Sequence, residues 1–265
     1  MSRYKPYSIL TPRFDPVSGG IRVMYGLYGW LLTKGQIAYL NARMDIPFIG
    51  IYPEIYHGNE AQANTVVRYI LNKPGVMATG GVPGPITFPP TGILYGFTKL
   101  YDTFNLDDEH LMFLPIIDTH LFKDQKRKRT KRCVFVGKGT DLDIPETKGL
   151  KRIDREMSLD QAGLADFLNK CEVMYSYENP SAMLEIARLC GCRIVFLPEG
   201  AMTTYTKKEL VEKYEPGMNG VSFGLEENVK LETEAFREHY MGLKDIFSKK
   251  LDRFISETQK HDSCL

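Results

Sequence analysis

Val173-Met-Tyr-Ser-Tyr-Glu-Asn-Pro-Ser-Ala-Met-Leu-Glu-Ile-Ala-Arg-Leu-Cys-Gly191 reads as a strand running into a helix. Val173 to Tyr177 is apolar and aromatic enough for a buried strand. Asn179 has the side chain of a helix N-cap and Pro180 suits a first helical turn. Met183, Ile186, Ala187 and Cys190 then share one face until Gly191 stops the helix. A strand handing over to a helix across a tight turn is the repeating step of an open α/β sheet. Glu178 falls at the hand-over, where such sheets bind ligands and where the amides of the helix start, Ser181 among them, attract phosphate oxygens. Glu185, about one turn further on, projects back toward that end, where a carboxylate can accept hydrogen bonds from a ribose or sugar diol. On spacing alone, Glu178 could equally be a cap-side carboxylate and Glu185 a solvated helix residue.

On both sides of this segment the same alternation recurs. Asp160 can cap a helix carrying Leu164, Phe167 and Leu168, and Arg193 to Leu197 reads as another strand, as does Cys133 to Val136. Toward the N-terminus, Tyr7 to Pro12 predicts a strand. The loop Arg13 to Gly20 follows, and then a helix through Ile21, Met24, Leu27, Tyr28, Leu31 and Leu32 that ends at Gly35. Gln36 to Leu40 and Ile46 to Tyr52 read as strands, the latter apolar on both faces. Glu60 to Asn72 places Ala63, Val66, Val67, Ile70 and Leu71 at helical spacing. Gly75 to Gly96 is crowded with glycine and proline and predicts a long ordered loop, of the kind that forms lids or substrate walls. From Glu226 to about Gln259 the stripe Phe236, Tyr240, Leu243, Phe247, Leu251, Phe254 predicts one long helix, with Gly242 a place for a kink.

The balance of residues narrows the function classes. With 34 Lys+Arg against 33 Asp+Glu in 265 residues, the formal charge is +1 and there is no global field to hold a nucleic acid backbone. The basic residues cluster locally instead, seven of them in Lys123 to Arg132. That run reads either as a solvated connector or as a patch for anionic lipid, and it marks a domain join. The five cysteines are odd in number and fall mostly in apolar runs, the pattern of buried thiols in a reducing compartment. Met-Ser-Arg-Tyr-Lys-Pro at the N-terminus lacks the apolar core of a signal peptide. The expectation is a cytoplasmic protein, or one touching the inner membrane face only peripherally.

Several segments carry a resemblance. Glu178 and Glu185 with the small-residue helix ending in Cys190-Gly191 resemble the Glu-x7-Glu signature of retaining GT-B-fold glycosyltransferases, here one residue shorter and with Asn179-Pro-Ser in place of Gly-Phe-Gly. Ser18-Gly19-Gly20-Ile21-Arg22 resembles their glycine loop toward the donor phosphates and acceptor; paired glycines let amides approach an anion, with Arg22 as counter-charge. Val134-Phe-Val-Gly137-Lys138-Gly139 resembles the turn that carries their diphosphate-contacting base, and Gly217-Met-Asn-Gly220 also fits. Tyr52 to Asn59 with Val67 to Gly75 resembles a stretch of bacterial cell-surface-polysaccharide glycosyltransferases, with Glu54 and His57 on the acceptor side.

The resemblance implies two Rossmann-like doubly wound domains facing a cleft. Residues 1–125 would form a reduced acceptor-side domain, 126–230 a nucleotide-sugar-binding domain, and 231–265 a helix packing across both. It implies hexosyl or deoxyhexosyl transfer from a nucleotide-diphosphate sugar to a glycan or lipid-linked acceptor, with retention. It implies no cofactor and no required metal; Asp141-Leu-Asp143 has a metal-site spacing but reads as a loop or cap pair. Arg22, Lys138 and Glu178 take the catalytic roles, and Gly19, Gly20, Gly137, Asn179, Ser181 and Glu185 hold the donor. The rival is a non-catalytic nucleotide-sugar-binding protein on the same fold. A dinucleotide oxidoreductase is disfavoured because neither glycine loop reads Gly-x-Gly-x-x-Gly.

Overall fold

The structure is a computed structural model that describes residues 4–261 apart from 80, 90, 91, 179, 203 and 204. The chain divides into two compact units, residues 1–116 with 243–265, and residues 117–242. The division falls at Ile116/Ile117, ahead of the basic run, and again inside the last helix.

In the first unit, β1 (Tyr7–Ile9), α1 (Gly19–Thr33), β2 (Ala38–Leu40), β3 (Ile49–Pro53), β4 (Thr65–Ile70) and β7 (Ile93–Gly96) build a five-stranded parallel sheet in the order β2-β1-β3-β4-β7. A two-residue hairpin, β5 (Ala78–Thr79) with β6 (Val82–Pro83), stands outside it. Alternate residues of the central strands serve the two faces. Ile9, Ile51, Val67, Tyr69 and Tyr95 join Met24, Leu27 and Leu31 of α1, together with Phe247, Leu251 and Phe254 of the last helix, in one core. Leu10, Phe48, Tyr52, Ala61 and Ala63 make a smaller core. The connections from β3 to β4 and from β4 to β7 hold no α-helix among the described residues.

Two expectations are corrected here. Glu60 to Asn72 is not a helix: Thr65–Ile70 is a central strand. A short apolar run satisfies either period, and the β-branched and aromatic residues Thr65, Val66, Val67 and Tyr69, set between two paired strands, favour the strand. Gly75 to Gly96 is not loop throughout, because Ile93–Gly96 pairs with β4 as the edge of the sheet.

In the second unit, β8 (Lys131–Phe135), β9 (Lys151–Arg152), α2 (Arg155–Leu159), α3 (Gln161–Leu168), β10 (Cys171–Ser176), α4 (Ala182–Leu189), β11 (Arg193–Phe196), α5 (Lys207–Lys213) and β12 (Val221–Phe223) form a second parallel sheet in the order β12-β11-β10-β8-β9. Val134, Val173, Tyr175, Tyr177, Val195 and Leu197 form a core on it. Asp160 caps α3, its carboxylate accepting from Gly163 N–H at 2.9 Å. Helix α6 (Thr233–Lys260) follows, starting later than the sequence suggests and carrying the whole stripe from Phe236 to Phe254 in buried positions.

Each sheet therefore places its own first strand between its second and third, and the chain is a Rossmann-like α/β protein with two parallel sheets. Such an order reverses direction once, between β1 and β3 in the first unit and between β8 and β10 in the second. The crevice at the carboxyl ends of those strands is where the topology leaves room for a ligand. No helix among the described residues is long and apolar enough to cross a membrane.

Candidate functional site

The β8/β10 crevice gathers most of the second unit's candidate residues. After β8 the chain turns sharply: Gly139 N–H donates to the Val136 carbonyl at 2.9 Å, and Gly137 has φ +57°, a conformation that favours glycine. After β10, the buried Ser176 hydroxyl donates to the Glu178 carbonyl at 2.7 Å and accepts from Glu178 N–H at 3.2 Å, fixing that residue's backbone. The two loops meet through Glu178. Its Oε2 accepts from Lys138 N–H at 3.2 Å, and Lys138 Nζ lies 3.9 Å from Oε1. Burial raises the Glu178 carboxyl above its usual range, opposed by the Lys138 charge and N–H. Gly137, Lys138 and Glu178 are thus brought together.

Asn179 lies outside the described residues. The cap of α4 is Ser181, whose Oγ accepts from Met183 N–H at 3.4 Å. Pro180 consequently precedes the cap instead of occupying the first helical turn, which corrects the expected helix start. Glu185 is buried and accepts a hydrogen bond from the Tyr214 hydroxyl at 2.9 Å, so it is not a solvated helix residue.

Beside it, Arg188 is fully buried, a role the sequence hides because arginine on a helix is ordinarily exposed. It donates to Gly217 O at 2.8 Å and Asn219 O at 3.1 Å, its guanidinium 4.0 Å from the Phe236 ring centroid. This fixes the Gly217 to Gly220 loop onto α4. Burial lowers the Arg188 pKa, with Tyr214 and Glu185 opposing. Asp141 accepts from Asp143 N–H at 3.1 Å and pairs with Arg152 at 2.8 Å, a turn-and-cap arrangement. The basic run is largely engaged: Arg127 with Asp166, Arg129 with Asp124, Lys126 with Asp124 and Glu234, Arg132 with Glu172.

The first unit's candidates lie at the start of α1 and just past β3. Ser18 caps α1, accepting from Ile21 N–H at 3.5 Å. A methyl group added at Gly19 would meet no other atom within 4 Å, and one at Gly20 only the Leu71 side chain at 3.6 Å. Nothing in the protein's own packing demands glycine there. Arg22 donates to the Ile116 carbonyl at 2.9 Å. Glu54 is buried just past β3 and accepts from Leu71 N–H at 2.8 Å, tying the ends of β3 and β4 together. His57 is exposed.

The loop holding Glu54 and His57 is set by Arg68, which β4 carries into the interior. Arg68 is 2% exposed, lies 4.8 Å from the Tyr52 ring and 5.2 Å from the Phe88 ring, and donates to the carbonyls of Tyr56 and Gly58.

No known protein family matches the chain as a whole or in part, and no curated protein is significantly similar to it.

Proposed function

We propose that the protein is a glycosyltransferase of the GT-B type, moving a sugar from a nucleotide-diphosphate sugar to a glycan or lipid-linked acceptor with retention. The observation that carries the reading is the meeting of the Gly137-Lys138-Gly139 turn with Glu178, just ahead of the Ser181-capped helix, at a topological switch point. The diphosphate lies over that turn, with Ser181 and α4 amides nearby. As the glycosidic bond loosens, negative charge grows on the departing diphosphate, so Lys138 and fixed amides stabilise the transition state more than the ground state. The Gly19-Gly20 start of α1, with its unfilled space and Arg22, offers the first unit's anion-facing surface. Of the acceptor-side pair, His57 is the exposed proton handler, whereas Glu54 is held by Leu71.

A second reading has its own support. The Glu178 to Glu185 spacing is one residue short of the glycosyltransferase signature, which suits a binding protein that kept the fold without turnover. Incubating the full chain with a panel of nucleotide sugars and measuring release of free nucleoside diphosphate separates the two. Release supports transfer or its hydrolytic counterpart. Binding by thermal shift with no release, in the presence of glycan acceptors, supports the non-catalytic reading, and neither binding nor release removes both.

A further inference from the structure

Glu178 occupies a place built for an anion. The three nearest atoms that a side chain at Gly137 would meet all belong to Glu178, the closest being Oε2 at 1.8 Å. Glycine at 137 thus leaves a seat beside the Lys138 N–H, and a carboxylate oxygen fills it. The seat is lightly held. Its hydrogen bond is 3.2 Å long, at the outer edge for an N–H to a charged oxygen, and the lysine Nζ stands off at 3.9 Å. It also opens to solvent, the Lys138 side chain being 46% exposed and that of Glu178 19%. Burial works against the carboxylate's charge, so leaving the seat relieves a cost.

We propose that Glu178 is an internal stand-in for a phosphate: in the unliganded protein its carboxylate occupies the Gly137–Lys138 anion seat, and an incoming diphosphate binds by displacing it. A phosphate oxygen takes over the Lys138 N–H, the Glu178 side chain turns away from the seat, and Lys138 Nζ exchanges a carboxylate partner for the diphosphate. The proposal rests on the diphosphate-binding reading above and adds a competition that sets affinity. A solute with no anionic group to offer the seat leaves Glu178 in place.

The test measures inorganic pyrophosphate binding to the full chain by titration calorimetry, in wild type, E178Q, E178D and K138A. Removing a negative charge near any anion site tightens binding, so E178Q alone does not discriminate; E178D keeps the charge but is one methylene too short to fill the seat. If occupancy of the seat is what competes, E178D and E178Q both tighten pyrophosphate by about ten-fold, the scale of one charge-assisted hydrogen bond no longer in competition, while K138A weakens it. If E178D binds like wild type or more weakly while K138A still weakens binding, displacement is overturned and the diphosphate reading survives. If pyrophosphate binds none of wild type, E178Q and E178D, the diphosphate reading falls as well.

Discussion

At Gly139 a methyl group would stand 2.3 Å from the Tyr177 carbonyl and 2.8 Å from the Gly200 carbonyl, both backbone atoms with nowhere to retreat. Gly139→Ala must therefore shift the loops after β8, β10 and β11 together. It should cost about 1–3 kcal/mol in urea denaturation, the usual range for overpacking. Gly19→Ala meets open space and should leave stability unchanged within about 0.5 kcal/mol. Equal losses at both positions would contradict the packing described.

His110 stands between two carboxylates. Its Nδ1 lies 2.6 Å from Asp107 and its Nε2 3.3 Å from Glu257, with the Tyr95 ring centroid at 4.8 Å. Burial lowers its pKa, but the hydrogen bonds and charges of the two carboxylates outweigh this, and the net shift is upward. The folded state thus binds the proton more tightly than the unfolded chain, whose histidine titrates near about 6.5. The stabilisation is complete below that value and drains away as pH rises through the raised one. Urea midpoints of wild type and His110→Gln should converge across that rise, and parallel profiles would show that His110 contributes no pH dependence.

Among the elements, what could be read from sequence was what repeats over many residues. The α6 stripe spans the helix at one period, and no strand can imitate that length. The strand β4 was not legible because Thr65-Val-Val-Arg-Tyr-Ile is short, buried on both faces, and carries its decisive residue, Arg68, where a polar group is not expected inside. The edge strand Ile93–Gly96 was hidden by the glycines and prolines around it. At the candidate site, the glycine turn and Glu178 were legible because loop chemistry is local. Tyr214, Arg188 and Arg68 were not, since their partners lie on other elements that only the fold brings alongside: Glu185 on α4 for Tyr214, the Gly217 to Gly220 loop for Arg188 and the loop after β3 for Arg68. Arg68→Lys tests the β3-to-β4 element. A lysine cannot span both the Tyr56 and Gly58 carbonyls or lie flat between Tyr52 and Phe88. We expect a loss of about 2 kcal/mol or more, read as a lowered denaturation midpoint, and a near-neutral result would mean the loop does not depend on the guanidinium.

For the whole molecule, the motifs and the strand-helix alternation pointed to two α/β units, and the structure shows two parallel sheets of one strand order. The limits of those units were the harder part, because a boundary is set by which surfaces cover which, not by local pattern. The resemblance implies a break at Lys230. The second unit instead extends to Gly242, and the difference is the first turns of α6. Those turns bring Phe236 over the fully buried Arg188 guanidinium and Tyr240 into hydrogen-bonding contact with Ile117 N–H at 3.3 Å. Without them a charged group in the interior loses its aromatic cover, and the Gly217 to Gly220 loop that it anchors loses its backing. A fragment of residues 117–242 should accordingly unfold cooperatively on heating, followed by far-ultraviolet circular dichroism, whereas one of residues 117–230 should show no cooperative transition. Phe236→Ala in the longer fragment isolates the cause: it keeps the helix length but removes the ring, and should lower stability by about 3–5 kcal/mol. If both fragments melt alike, α6 is not part of the second unit's fold, and Arg188 is held without it, through Leu184, Gly217, Asn219 and the Tyr214 ring.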